Sequence, residues 1–271
     1  MRARRPHAAL APFVEHLWYV DEPLPPGRDR TLPTGAAQLV VNLAADRLNW
    51  YDGPDLTVPR GVGGAGVCAP LARPIGVDTA DQSFTAGVVF RPGGIVAFGA
   101  VPAAELTDPV TPLDEWWGAE GGSVRERVLT AATPGERLDV LERVLLGRLR
   151  AAGGPDRPDG ALAYAVAALD RGVPVHAVAA TVDASESTLR RRFRAAVGLS
   201  PKQFGRVRRL QRVLRAATTP DRPAPDWAEV AARHGYFDQA HLINDFRALT
   251  GLTPLRYVPR SAAEHNHVPL R

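Results

Sequence analysis

Cysteine is nearly absent from this chain. A single residue, Cys68, excludes an internal disulfide framework and any zinc site built on several thiolates, and it fits a reducing compartment. Lysine is as scarce. Lys202 stands alone among 33 basic residues, so the positive charge is carried by guanidinium groups, which suit bidentate pairing with phosphate and guanine. No stretch approaches the ~20 apolar residues that cross a bilayer, so no membrane partner is expected. The basic start, MRARRP, has no apolar run behind it, which argues against a signal peptide and for a cytoplasmic protein. Histidine is thin in the first 150 residues, where only His7 and His16 occur. That is too few to cluster as ligands, so neither a metal nor a cofactor is expected. Gly-x-Ser-x-Gly, His-Glu-x-x-His and a phosphate loop are all missing. Cys68, in Gly66–Pro70, has no His or Arg directly beside it to activate a thiolate. No catalytic residue is expected, and the chain reads as a non-enzyme.

What the chain does have is an uneven charge. Its 271 residues, 45% hydrophobic and 23% charged, suit two ordinary globular domains. Residues 1–150 hold 15 basic and 18 acidic side chains, a net of −3, whereas 151–271 hold 18 and 11, a net of +7. Only the second part is built to meet a polyanion.

The first part reads as mainly β. Leu10–Val20 predicts a short helix running into a strand, and 36–44, 48–51, 75–77 and 84–90 predict strands separated by Gly- and Pro-rich turns. Many short strands of this kind make a small barrel or sandwich. From Ser123 the period becomes helical, with Val124, Val128, Leu138, Leu141, Leu145 and Leu149 forming an apolar stripe on two helices. The stripe either packs on the strands or forms a homodimer seam. Trp18, Asn42, Trp50 and Arg91 are candidates to line an effector pocket, although aromatics beside strands are more often core.

Residues 151–160 (AAGGPDRPDG) read as a linker, and 161–260 as an all-α domain. Helices are expected at 161–170, 175–181, 186–197, 201–217, 226–234 and 239–250, with a last one from Pro254. Ser185, Ser200 and Asp238 supply N-caps, and Gly198 and Gly251 supply stops. The tail 261–271 has little apolar content and is expected to be disordered.

The helical part repeats itself. Leu189 to Phe204 reads Leu-x3-Phe-x4-Gly-Leu-Ser-Pro-x2-Phe, and Leu242 to Tyr257 repeats the pattern 53 positions later with Thr and Tyr. A repeated unit of helix, glycine stop and capped helix is the second half of a helix-turn-helix, whose second helix enters a major groove. In the first copy Leu189, Phe193, Ala196 and Val197 share one side and Ser187, Arg191 and Arg194 the other, with Arg190 and Arg192 on the flanks. Arg190 to Arg215 contains ten Arg or Lys and no Asp or Glu, a one-sign run that calls for an anionic partner. Arg191 is the first choice for reading guanine, with Ser187, Arg190 and Arg194 beside it. Lys202, Arg206 and Arg209 suit the backbone. In the second copy Gln239, Ile243 and Asn244 could read adenine and a thymine methyl, with Arg247 on phosphate. Asp238 and Asp245 would oppose phosphates if they faced them.

These motifs resemble the DNA-binding domain of the AraC/XylS transcription regulators, across nearly its whole length. The likeness is carried by Val178–Ala180, Thr188–Phe193, Gly198–Pro201, Arg208–Arg212, Glu229–Ala232, Gly235–Leu242 and Phe246–Pro254. It implies two helix-turn-helix units joined by a long helix, placing reading helices 186–197 and 239–250 in successive major grooves of double-stranded DNA. The family's reading positions fall on Ser187, Arg190 and Arg191, and on Gln239, Ile243 and Asn244. Asp183 stands where the first turn usually has Gly, and Asp tolerates that left-handed backbone. Residues 1–150 resemble the cupin-like regulatory domain found ahead of such modules, through Leu10–Trp18, Leu32–Gly35, Phe90–Gly94 and Leu113–Gly118. The expected protein is therefore α+β, a sequence-specific activator or repressor. Its N-terminal domain senses a small-molecule effector or mediates dimerisation or partner docking, and RNA polymerase is a further candidate partner.

Overall fold

The computed structural model describes residues 2–99, 101–153, 159–218 and 225–270; residues 154–158 of the expected linker lie outside the described residues. The N-terminal part is two antiparallel sheets. The first runs β1 (Arg2–Arg4), β2 (Val14–Val20), β9 (Thr85–Phe90), β4 (Gln38–Asn42), β7 (Ala65–Cys68) and β10 (Val110–Pro112). The second runs β11 (His267–Pro269), β3 (Arg28–Thr31), β8 (Ile75–Asp78), β5 (Leu48–Asp52) and β6 (Val58–Val62), with the short α1 (Thr79–Gln82) between β8 and β9.

Two-residue alternation decides what each strand face meets. Leu39 and Val41 of β4 and Ala86, Val88 and Phe90 of β9 face α2 (Leu113–Trp117), α3 (Ala119–Leu129) and α4 (Pro134–Ala151) in one core. Val40, one residue out of phase, packs between the sheets with Leu48, Trp50, Ile75 and Val110. The apolar stripe belongs to the first of these cores. Val124, Val128, Leu138, Leu141 and Leu145 are buried there and Leu149 packs against them, so these side chains are taken up by the sheet and not by a dimer seam. A capping box, Thr133 with Glu136, starts α4.

Among the described residues six helices follow: α5 (Gly160–Asp170), α6 (Val175–Thr181), α7 (Glu186–Val197), α8 (Pro201–Ala217), α9 (Trp227–Arg233) and α10 (Gln239–Thr250). Their common core holds Phe193, Phe204 and Phe246, each 0% exposed. Burying each contributes roughly 1.5–3 kcal/mol. Asp183 has φ 50° in the turn before α7, the left-handed backbone expected of it.

Several segments differ from expectation, among them Gly61–Gly66, expected as a turn, most of which lies in β6 and β7. Residues 8–13 form turns instead of a helix, and the helix expected from Pro254 is a single 3-10 turn, Pro254–Arg256. The tail expected to be disordered returns to the first part of the chain and adds β11 to the edge of β3, with Val268 opposite Arg30. Its hold is partly ionic. Asp29 of β3, 2% exposed, is met by Arg260 and, at 3.5 Å, by His267. The two parts therefore share material. Leu32 and Val268 are buried in the helical core, and Gln211 of α8 donates to the Pro33 carbonyl (2.8 Å) and to Asn266 Oδ1 (2.7 Å). Helix α7 also packs on the 3-10 turns Gly94–Ala97 and Ala103–Glu105 of the N-terminal part.

Candidate nucleic-acid interface

Helix α7 is set by its ends and by its apolar side. The Ser185 hydroxyl accepts the Thr188 N–H at 3.2 Å, and Gly198 closes the helix with φ 84°. Leu189, Phe193 and Val197 turn inward, which leaves Ser187, Arg190, Arg191, Arg192 and Arg194 exposed on the opposite side. None of these four arginines has an ion-pair partner among the described residues. Lys202, at the start of α8, is exposed as well.

The rest of the basic run behaves differently. Its neutralising acids come from outside it. Arg208 makes a forked contact with Asp170 (2.8 and 3.3 Å), and Arg212 bonds the Asp170 carbonyl. Arg206 and Arg209, expected on the DNA backbone, instead reach Asp245 at 2.6 and 3.2 Å. Arg209 also donates to the Gly235 carbonyl (3.0 Å) and lies over the Tyr236 ring at 4.1 Å. Asp245 is 6% exposed and points at α8, so it does not face an incoming phosphate. It is shared by two arginines, leaving one net positive charge among the three, and fastens α10 to α8. Burial, with Asp245 adding to it, pushes the Tyr236 phenol up to about 12, so it stays protonated.

Helix α10 has the same construction with another surface. Asp238 caps the His241 N–H at 2.7 Å and Gly251, φ 71°, ends the helix. Leu242, Phe246 and Leu249 face the core; Gln239, Ala240, Asn244 and Arg247 are exposed, and Ile243 is half-buried. His241 is drawn into the turn, its Nδ1 accepting the Phe237 N–H at 3.3 Å. Phe237, 92% exposed just ahead of the cap, was not anticipated; a second aromatic after Gly235-Tyr236 was its only signal. Between the two units lies a cleft of about 590 Å³ lined by Lys202, Arg206, Arg209, Arg212 and His241.

The four candidate effector residues have different local partners. Asn42 is a turn clamp: its amide donates to the Arg47 carbonyl (2.8 Å), and its oxygen accepts from Ala44 and Ala45. Arg91 bonds the Ala11 carbonyl at 2.8 Å on the exterior. Trp18 lies across Gly87, where a Cβ would strike its ring, and Trp50 packs between the sheets. Both indole N–H groups are buried with no hydrogen-bond partner among the described residues. Burial pushes the Cys68 thiol up to about 12, which keeps it protonated and a poor nucleophile. No group of three or more His, Cys, Asp or Glu is arranged for a metal among the described residues. No helix among them is long and apolar enough to cross a membrane.

Residues 178–260 match a family model described as a helix-turn-helix domain, and residues 2–112 match one described as a domain of unknown function, DUF6597. Among solved structures, ToxT from Vibrio cholerae is 8% identical, with 89% of this chain and 96% of that one covered, at a TM-score of 0.45. The same protein with an unsaturated fatty acid bound is 8% identical over 88% and 91%, at 0.42. No curated protein matches the chain.

Proposed function

From the premise that this chain carries an AraC-type helix-turn-helix domain at residues 178–260, we propose that it is a sequence-specific transcription regulator. It reads two successive major grooves with α7 and α10. The observation that carries the reading is the exposed side of α7, where four arginines stand without acidic partners among the described residues on a rigidly capped helix. Arg191 and Arg190 read base edges, with Ser187 and Arg194 beside them, since a guanidinium can bond guanine O6 and N7 together. Gln239, Asn244 and Ile243 read the second site. Lys202 and Arg247 hold phosphates, which fixes register without specifying sequence. Arg206 and Arg209 are withdrawn from that role by Asp245.

The test is selection of bound duplexes from a random pool by the full-length chain. The expected result is an enriched motif with two half-sites about 10 base pairs apart, bound more weakly as salt rises. A pool that stays random would overturn the reading.

The N-terminal part then serves as the regulatory half, as sensor or as docking module. Asn42 and Arg91 are spent on turns, which favours docking over a ligand held by Trp18, Asn42, Trp50 and Arg91 together. A thermal-shift screen of the full chain with metabolites separates these roles. A shift abolished by Trp18→Ala or Trp50→Ala would restore that pocket.

A further inference from the structure

A second cleft, of about 300 Å³, opens where the N-terminal sheet meets the end of α10. Arg30, Asp52 and Arg73 line it from one side, and Arg247, Ala248 and Gly251 from the other. Arg73 makes a forked contact with Asp52, at 2.5 and 3.0 Å. That pair consumes the one carboxylate in the wall. Arg30 is 9% exposed, gives Nη1 to the Thr250 carbonyl at 2.9 Å, and has a buried Nε with no hydrogen-bond partner among the described residues. Arg247 is exposed and has no ion pair among the described residues.

A buried guanidinium with an unanswered N–H is costly in a dry wall. Three cations line the cleft against one committed carboxylate, and Asp55, outside the lining, also acts on Arg30, so the wall keeps a net positive charge. Gly251 is part of the arrangement, since a Cβ there would run into the Arg30 guanidinium. The remaining wall is Gly53, Pro54 and Pro74. These residues give a long alkyl chain little apolar surface to follow, whereas the three guanidinium groups match closely spaced anionic oxygens.

We infer that this seam binds a compact polyanionic metabolite, with phosphate or carboxylate oxygens held between Arg30 and Arg73 on one side and Arg247 on the other. Binding itself requires nothing of the DNA reading. Its consequence rests on that reading: Arg247 lies on the exposed side of α10, so an anion in the seam competes with DNA phosphate for it and weakens the hold of the second unit. The site thus couples the N-terminal sheet to a reading helix through one shared arginine.

The experiment uses the full-length chain in calorimetric titrations with citrate and with inorganic phosphate, at constant ionic strength set by chloride. Saturable binding of either anion is expected, weakened about tenfold or more in Arg73→Gln and in Arg247→Gln. Both positions are exposed, and circular dichroism checks that each variant folds. No saturation, or wild-type affinity in both variants, would overturn the site, and so would oleate binding there in preference to citrate. A second arm uses the duplex selected by the wild-type chain. Citrate should weaken its binding beyond the effect of matched chloride, and Arg73→Gln should bind the duplex normally but lose this response. Weaker binding of random duplex by Arg73→Gln would assign the seam to the DNA backbone and refute the metabolite. If no sequence is selected at all, the regulator reading falls while the calorimetric arm still decides the site.

Discussion

Helices α7 and α10 are two answers to one scaffold. Shifted by 53 positions, Leu189 matches Leu242, Phe193 matches Phe246 and Gly198 matches Gly251, and each of these pairs does the same work in both copies. The outward positions have diverged. Arg191 corresponds to Asn244 and Arg190 to Ile243, while Arg194 is matched by Arg247, so a strongly cationic surface stands against a weakly cationic one. The sharpest contrast is Arg192 against Asp245. The first is exposed and unpaired, while the second is buried and ties two arginines of α8. The first unit presents its charge outward, and the second uses a charge to hold itself in place.

That contrast can be broken in order of effect. Truncating the shared core should hit both copies alike: Phe193→Ala and Phe246→Ala should each lose about 3–5 kcal/mol in denaturant unfolding. A loss confined to one copy would mean that the scaffolds are not equivalent. At the divergent pair, Asp245→Ala should cost about 2–4 kcal/mol, discounted because Arg206 and Arg209 keep some access to water. Arg192→Ala should stay within about 0.5 kcal/mol, as a surface change. Equal losses would erase the asymmetry. In binding to the selected duplex, Arg191→Ala should cost about 1–3 kcal/mol and relax the preference at one base pair. Asn244→Ala should cost less, and a reversed order would make the second unit the principal reader.

The smallest effect comes with acid. Burial lowers the pKa of His16, His234 and His265 from 6.5. Below that value the unfolded chain binds more protons than the folded one, so stability is complete above about pH 6.5 and falls as pH drops through it. Midpoints should hold from pH 7.5 to about 6.5 and decline from there to 5.5. His234→Gln should flatten part of that decline, because this histidine belongs to the second unit and the first has no counterpart.

Much of this was legible in the residues. The bounds of α7, α8 and α10 follow from Ser185, Ser200 and Asp238 as caps and from the glycines that stop α7 and α10, because these signals act within a few positions of the helix ends. The outward arginines of α7 followed from the inward Leu189 and Phe193. Contacts made at a distance were not legible. Arg28–Thr31 is not among the strands expected from the sequence, yet it is a strand because β8 and β11 pair with it and because Arg260 answers Asp29. Arg206 and Arg209 looked free because no acid lies near them in the chain, and Asp170 and Asp245 supply the missing charges only after folding. Asn42 and Arg91 looked like pocket residues because a side chain that closes a turn and one that binds a ligand are the same residue types.

The strand β11 has a kinetic consequence. Arg260 meets Asp29 across 231 positions of sequence, a separation that makes this among the most entropically expensive loops in the molecule to close. Each unit of the helical part can condense from neighbours, but the outer edge of the second sheet must wait for a segment far downstream. Refolding should therefore show an early helical phase and a later one in which β3 becomes protected from hydrogen exchange. On unfolding, the same edge should be among the first to open.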